Sequence, residues 1–279
     1  AGKAYIFDVH TGHLIHTLDN PNAFNTSTSD NFGRAVGISG NYAVVGAPGE
    51  DSSGSLGAGV GYIFNVTTGA LIHTVQNPNA YSTPAADNFG NYIGVHGKYS
   101  IFGCPNEDDA GGSGSGKAYV INNATGGLVY TFDNPNAFGT SLNDNFGSSV
   151  DISDNYAIVG AQYEDFASAD NSGHVYVFDL STGSLVHSKA NPNAYGTVTS
   201  DYFGYDVAID GNYFVVGAEG ESDVSGTGSG KAYVFDTQSG ALLHTLDNPT
   251  PFPGDAFGRQ VDISGNYTIV SAYGDNTTN

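Results

Sequence analysis

The sequence predicts an all-β fold, a five-bladed β-propeller built of four-stranded antiparallel blades, and three observations carry that expectation. One stretch recurs five times, as DNFG at Asp30, Asp87 and Asp144, DYFG at Asp201 and DAFG at Asp255, spaced 57, 57, 57 and 54 residues apart. A period in this range marks repeated architectures. Each unit reads as short β-branched and aromatic runs separated by Gly, Asn and Ser, and no segment carries a helical apolar period. Finally, residues 2–18 match only the last two runs of a unit, and residues 257–272 only the first two.

In the first unit, strand one is expected at 32–39 (FGRAVGIS), where Val36 and Ile38 alternate with smaller or polar neighbours. Strand two follows at 42–46 (YAVVG), across a turn at Gly40-Asn41, residues that tolerate positive φ. Strand three is expected at 61–66 (GYIFNV), and strand four at 70–75 (ALIHTV) after the turn Thr67-Thr68-Gly69. The blades are therefore expected at about 30–76, 87–133, 144–190 and 201–247, with a composite fifth from 255–273 plus 2–19, all in a single domain over 1–279. Pairing the two chain ends in that fifth blade would close the ring and cover two raw sheet edges.

The chain has 28 acidic and 7 basic residues, a net charge of −21, which makes nucleic acid and anionic membrane surfaces poor partners, so neither is expected. No apolar run approaches the roughly 18 residues of a membrane helix, so membrane insertion is not expected. Cys104 stands alone where sister units have Ala, which suggests a small buried residue and allows no internal disulfide. The chain begins at Ala1 and lacks Met, as a processed product or an excerpt would. Glycosylation sequons at Asn25, Asn65, Asn123, Asn266 and Asn276 are at chance level for so Asn-, Ser- and Thr-rich a chain.

Strand alternation places the strand two-to-three loops and the inter-blade loops on one face, which collects 20 of the 28 acids. Calcium takes six to eight oxygen ligands from such loops. The set to test is Asp30, Glu50 and Asp51, with Asp87, Glu107 and Asp108, and Asp144, Glu164 and Asp165, as its counterparts. The alternative is that these acids solvate Gly- and Ser-rich loops. A second signature, NPNA[FY] or NPTPF, begins at Asn20, Asn77, Asn134, Asn191 and Asn248. Its aromatics, Phe24, Tyr81, Phe138, Tyr195 and Phe252, are expected either to pack between blades or to form a ring of sugar platforms.

A glycosidase would need two carboxylates flanking one bond. Asp206 is the inner-strand acid unmatched in other units and, with Arg34 and Arg259, is the candidate set. The chain has no Trp, and no blade diverges as a substrate pocket demands, so a non-enzymatic role is expected. His16, His73, His187 and His244 recur in strand four, with Tyr130 in the third copy, and are expected to face solvent around the rim.

The FG at Phe32, Phe89, Phe146, Phe203 and Phe257, with VVGAPGED at 44–51, resembles the FG-GAP repeat, the blade unit of the integrin α-chain propeller, over the whole chain. GAP is intact only at Gly46-Ala47-Pro48 and becomes GCP at Gly103, GAQ at Gly160, GAE at Gly217 and SAY at Ser271. The NPNA and GKAYVF elements are similar to repeats of bacterial surface proteins and marine phage virion proteins. Integrin propellers carry seven repeats and calcium loops of the form DxDxDG between strands one and two. Here that hairpin reads SGNY, HGKY, SDNY or DGNY, so the family's calcium residues do not carry over. The resemblance implies an extracellular, cell-surface or virion-surface adhesion module binding a glycan or a protein through the acidic loop face. A structural part in a capsid or fibre, among neighbouring structural chains, is the alternative, and a glycoside hydrolase is the least favoured reading.

Overall fold

The repeated apolar runs form twenty strands and no helix in a computed structural model that describes residues 2–21, 29–51, 56–78, 86–108, 113–135, 143–165, 170–192, 199–222 and 226–275. An N-terminal hairpin pairs β1 (Lys3–Phe7) with β2 (Leu14–Asp19). Blade one orders β3 (Val36–Ser39), β4 (Tyr42–Ala47), β5 (Val60–Asn65) and β6 (Leu71–Gln76). Blade two holds β7 (Tyr92–His96), β8 (Tyr99–Cys104), β9 (Lys117–Asn122) and β10 (Leu128–Asp133). Blade three holds β11 (Ser149–Ile152), β12 (Tyr156–Ala161), β13 (His174–Asp179) and β14 (Leu185–Ala190). Blade four holds β15 (Phe203–Asp210), β16 (Tyr213–Ala218), β17 (Lys231–Asp236) and β18 (Leu242–Asp247), and β19 (Phe257–Ser264) pairs with β20 (Tyr267–Ala272) in a C-terminal hairpin. The twenty strands pair antiparallel with neighbours in sequence, as predicted, while among the described residues two isolated parallel bridges, Gly116 with Phe146 and Gly230 with Phe257, join successive units. In blade one, strands three and four begin within one residue of their expected positions, whereas strand one begins at Val36 and not at Phe32 because the FG turn precedes it.

The core lies between blades. Blade two contributes Ile101, Val120 and Phe132 to one apolar cluster with Val150, Val159 and Phe178 of blade three, and equivalent clusters fill the other seams. What sets the distance between blades is backbone against backbone. A Cβ on Gly46, Gly103, Gly160 or Gly217 would sit 2.0, 2.1, 2.3 or 1.8 Å from the carbonyl oxygen of Gly90, Gly147, Gly204 or Gly258 in the next unit. Those carbonyls belong to the FG glycines, held at φ values from +83° to +91° that favour glycine. The FG phenylalanine carbonyl presses in the same way on the glycine before strand three, as Phe89 does on Gly59, where a Cβ would meet it at 2.2 Å.

The composite fifth blade is not formed. The β1–β2 and β19–β20 hairpins remain separate two-stranded sheets, β1–β2 packing on blade one and β19–β20 on blade four. Faces that are buried elsewhere are open at both ends: Tyr5 is 53% exposed against 0–2% for its counterparts Tyr62, Tyr119, Tyr176 and Tyr233, and Tyr267 is 84% exposed. A physical obstacle stands in the sequence. Ser271 occupies the position of the four seam glycines, so joining β20 to β1 in the geometry of the other seams would drive its Cβ into the Gly33 carbonyl. The Ser271 hydroxyl instead accepts the Gln260 amide at 3.0 Å within its own hairpin.

Two outcomes test this account. Gly160→Ala should lower unfolding stability by about 3 kcal/mol or more in a denaturant titration, through backbone overlap, whereas Gly127→Ala, which meets only the Thr125 hydroxyl at 3.3 Å, should change it little. Ser271→Gly should permit the fifth blade to close, lowering the radius of gyration in small-angle scattering and raising Tm. An unchanged radius would show that another contact holds the arc open.

Candidate functional site

The FG turns, the strand two-to-three loops and the inter-blade loops share one face, and the structure buries much of its acid. Each whole blade builds the same latch. The strand-three tyrosine hydroxyl donates to the glutamate that lies twelve residues earlier: Tyr62 to Glu50 at 2.5 Å, Tyr119 to Glu107 at 2.6 Å, Tyr176 to Glu164 at 2.7 Å and Tyr233 to Glu221 at 2.6 Å. The glutamate main chain closes its loop, its carbonyl accepting the Gly59, Gly116, Gly173 or Gly230 amide at 2.9 Å. Beside it the aspartate before FG is buried and accepts the side-chain amide of the NP asparagine, Asn20 to Asp30, Asn77 to Asp87, Asn134 to Asp144, Asn191 to Asp201 and Asn248 to Asp255, at 2.8–3.0 Å. The FG phenylalanine packs on the latch tyrosine with ring centroids 5.7–5.8 Å apart. The sequence reading missed this latch, although the constant Glu-to-Tyr interval signals it.

Burial governs the charge of these groups. Desolvation, reinforced by the neighbouring Asp87, Asp144 or Asp201 carboxylate, pushes Glu107 to about 7, Glu164 to about 8 and Glu221 to about 7 against the pull of the tyrosine hydrogen bonds. Two residues of the expected calcium triads are thus latch members. The third is engaged elsewhere: Asp51, Asp108 and Asp165 cap their loops by accepting the backbone amides of Gly57, Gly114 and Asn171 at 3.0, 2.9 and 2.8 Å. Among the described residues, the one group that brings three potential ligand atoms within 4.8 Å of one another is Asp87, Cys104 and Glu107. Its thiol, raised well above its ordinary pKa by burial, donates to the Asp87 carbonyl at 3.3 Å, and a protonated sulfur does not suit a hard oxygen-seeking ion. Of the expected aromatic platforms, Phe252 is exposed, and Phe24, Tyr81, Phe138 and Tyr195 lie outside the described residues.

At the centre of this face the starts of all five first strands enclose a pocket of about 480 Å³, lined by Arg34, Tyr92, Gln162, Tyr205, Asp206 and Arg259 among others. The chain's two arginines therefore line the same pocket. Arg259 donates to Glu219 at 2.7 Å and lies over the rings of Tyr205 and Tyr273, 5.1 and 4.8 Å from their centroids. Arg34 donates only to the Asn91 side chain, at 3.3 Å, and has no carboxylate within ion-pair distance among the described residues. Asp206 lines the pocket but accepts the Val261 amide at 2.9 Å, an inter-unit tie that Asp151 repeats on Ile209 at 2.8 Å. Burial raises both to about 6.

Of the rim residues, His244 is exposed as expected, and the others do more than face solvent. The rings of His16, His73 and His187 lie 3.0, 3.0 and 2.8 Å from the carbonyls of Thr67, Ala124 and Thr237 in the next unit, and the Tyr130 hydroxyl donates to Leu180 at 3.1 Å. They are clasps between blades, and Tyr130 substitutes for His because it reaches the same turn.

The FG-GAP repeat family model matches residues 23–64, 137–178, 193–235 and 252–279, just over half of the chain. No curated protein matches the chain.

The latch carries a pH dependence. Its glutamate pKa values lie above the ordinary 4.5, so the folded chain holds protons that the unfolded chain releases, and stability falls as pH rises from about 4.5 through 7–8. Tm should be higher at pH 5 than at pH 8.5, and Glu164→Gln should recover part of the loss at high pH while the exposed Asp170→Asn does not. A Tm that climbs from pH 5 to 8 would overturn this assignment.

Proposed function

This chain belongs to the FG-GAP repeat family, and from that premise we propose that it is a non-enzymatic recognition module of a cell or virion surface, holding a carboxylate-bearing glycan in the axial pocket of its loop face. FG-GAP repeats occur in adhesion and recognition modules, typically of extracellular proteins, and the family is generally non-enzymatic. No described helix is long and apolar enough to cross a membrane. The observation that carries the reading is the meeting of both arginines in one pocket of a chain whose net charge is −21. Planar guanidinium groups match a carboxylate bidentately, and the Tyr92 and Tyr205 rings with the Gln162 and Asn91 amides supply the stacking and hydrogen-bonding chemistry of sugar recognition.

Burying the latch acids supports entry of an anion, because those carboxylates do not project into the face. Calcium has no part in this reading, since the acids offered for it are engaged in latches and loop caps. Asp206 acts as a structural tie and not as an acid catalyst. One further observation favours a place in a larger assembly such as a capsid or fibre: the apolar faces at both ends of the arc are exposed.

The test is retention on hyaluronan and polyglucuronate against neutral dextran. Retention should weaken as salt rises, survive chelator, and fall at least tenfold in Arg34→Ala. Equal retention on dextran, or loss of binding on chelation, would overturn the reading.

A further inference from the structure

We propose that the open face formed by β1 and β3 is a docking edge for the strand-one and strand-two hairpin of a second FG-GAP chain, one carrying glycine where this chain has Ser271. The four complete seams show what the edge is shaped to receive. In three of them, acceptors from one unit reach backbone amides of the next unit's first strand or the turn after it: Asp151 to Ile209 at 2.8 Å, Asp206 to Val261 at 2.9 Å, Asp210 to Gly265 at 2.7 Å, and the Ser39 hydroxyl to Gly97 at 2.9 Å. The equivalent amides of blade one are those of Ile38, Val36 and Gly40, and no side chain of the described residues reaches them. A row of backbone donors on this edge thus complements an acidic first strand.

The apolar part is equally specific. Val36 and Ile38 are 62% and 60% exposed, whereas their blade-four counterparts Val207 and Ile209 are each 4% exposed under the preceding unit. With Tyr5, Phe7, Val9 and Val44 they line an apolar groove of about 660 Å³. Alongside it β1 presents the edge that β17 uses to pair with β16, in the register Val234 to Val215. The Tyr5 hydroxyl stands where the other strand-three tyrosines find their glutamate.

The chain's own β19–β20 hairpin does not fill the site: by analogy with the four seam glycines the Ser271 Cβ would collide with the Gly33 carbonyl, and Asp275, which replaces the latch glutamate, is one methylene shorter. The occupant is therefore a hairpin with carboxylates on its first strand, glycine at the seam and glutamate at the latch. Residues 201–222 of this sequence carry all of these, in Asp206, Asp210, Gly217 and Glu221.

That segment, fused to the C-terminus of an inert carrier, is the probe to titrate against the full chain by biolayer interferometry. Saturable one-to-one binding is expected. It should weaken at least tenfold with Gly217→Ser in the probe and several-fold with Asp206→Asn and Asp210→Asn together, and be lost with Ile38→Lys in the receiving chain, an exposed position whose change leaves folding intact. Absence of binding, or equal binding by the Gly217→Ser probe, overturns the proposal. So does concentration-dependent self-association of the chain in ultracentrifugation, which would make a second copy the occupant. So, too, does an intramolecular disulfide formed quantitatively between Tyr5→Cys and Val270→Cys, which would show the ring closed on itself.

Discussion

A carbonyl oxygen pressed against a glycine Cα is the contact on which the rest of this molecule depends. The FG glycine turns its carbonyl toward the preceding blade, and the first glycine of the GAP-like sequence leaves the space that receives it. Both halves of the repeat signature are thus two sides of one joint. Because the joint is made of backbone, it fixes blade spacing without reference to the side chains around it. GAP can decay to GCP, GAQ or GAE as long as its first residue has no Cβ.

Within that frame, each blade is tied by polar groups in dry surroundings. A glutamate, a tyrosine and an aspartate–asparagine pair satisfy one another behind the FG phenylalanine, and the rim clasps repeat the idea at the outer edge. Buried carboxylates are tolerated where protons and hydrogen bonds replace water. The loop face is consequently less acidic toward solvent than its composition implies, and its centre carries the chain's two guanidinium groups.

Much of this was legible in the sequence. Repeat spacing located the four four-stranded blades but not the separation of the two end hairpins, alternation located the strands, and the FG positions proved to be the seam positions. What escaped was whatever depended on a single atom or on desolvation. Ser271 looks like one more variant of a decaying motif until the neighbouring carbonyl is placed beside it. Glu50, Glu107 and Glu164 read as calcium-binding loop acids, because sequence shows charge but not whether a tyrosine twelve residues on has already claimed it. Arg34 and Arg259, 225 residues apart, follow FG at equivalent positions and were grouped with Asp206 from the sequence, but only the structure adds Tyr92, Tyr205 and Gln162 to the lining of their pocket.

A joint made of main chain also separates length from fold. A duplicated unit joins its neighbours without compensating changes elsewhere, since the surfaces that meet are the same in every copy. The seam glycine then behaves as a grammatical connective, and a residue with a side chain as a full stop. The hydroxymethyl group of Ser271 fills the space that the other four positions leave open, so a single codon decides whether that seam has room for its neighbour's carbonyl.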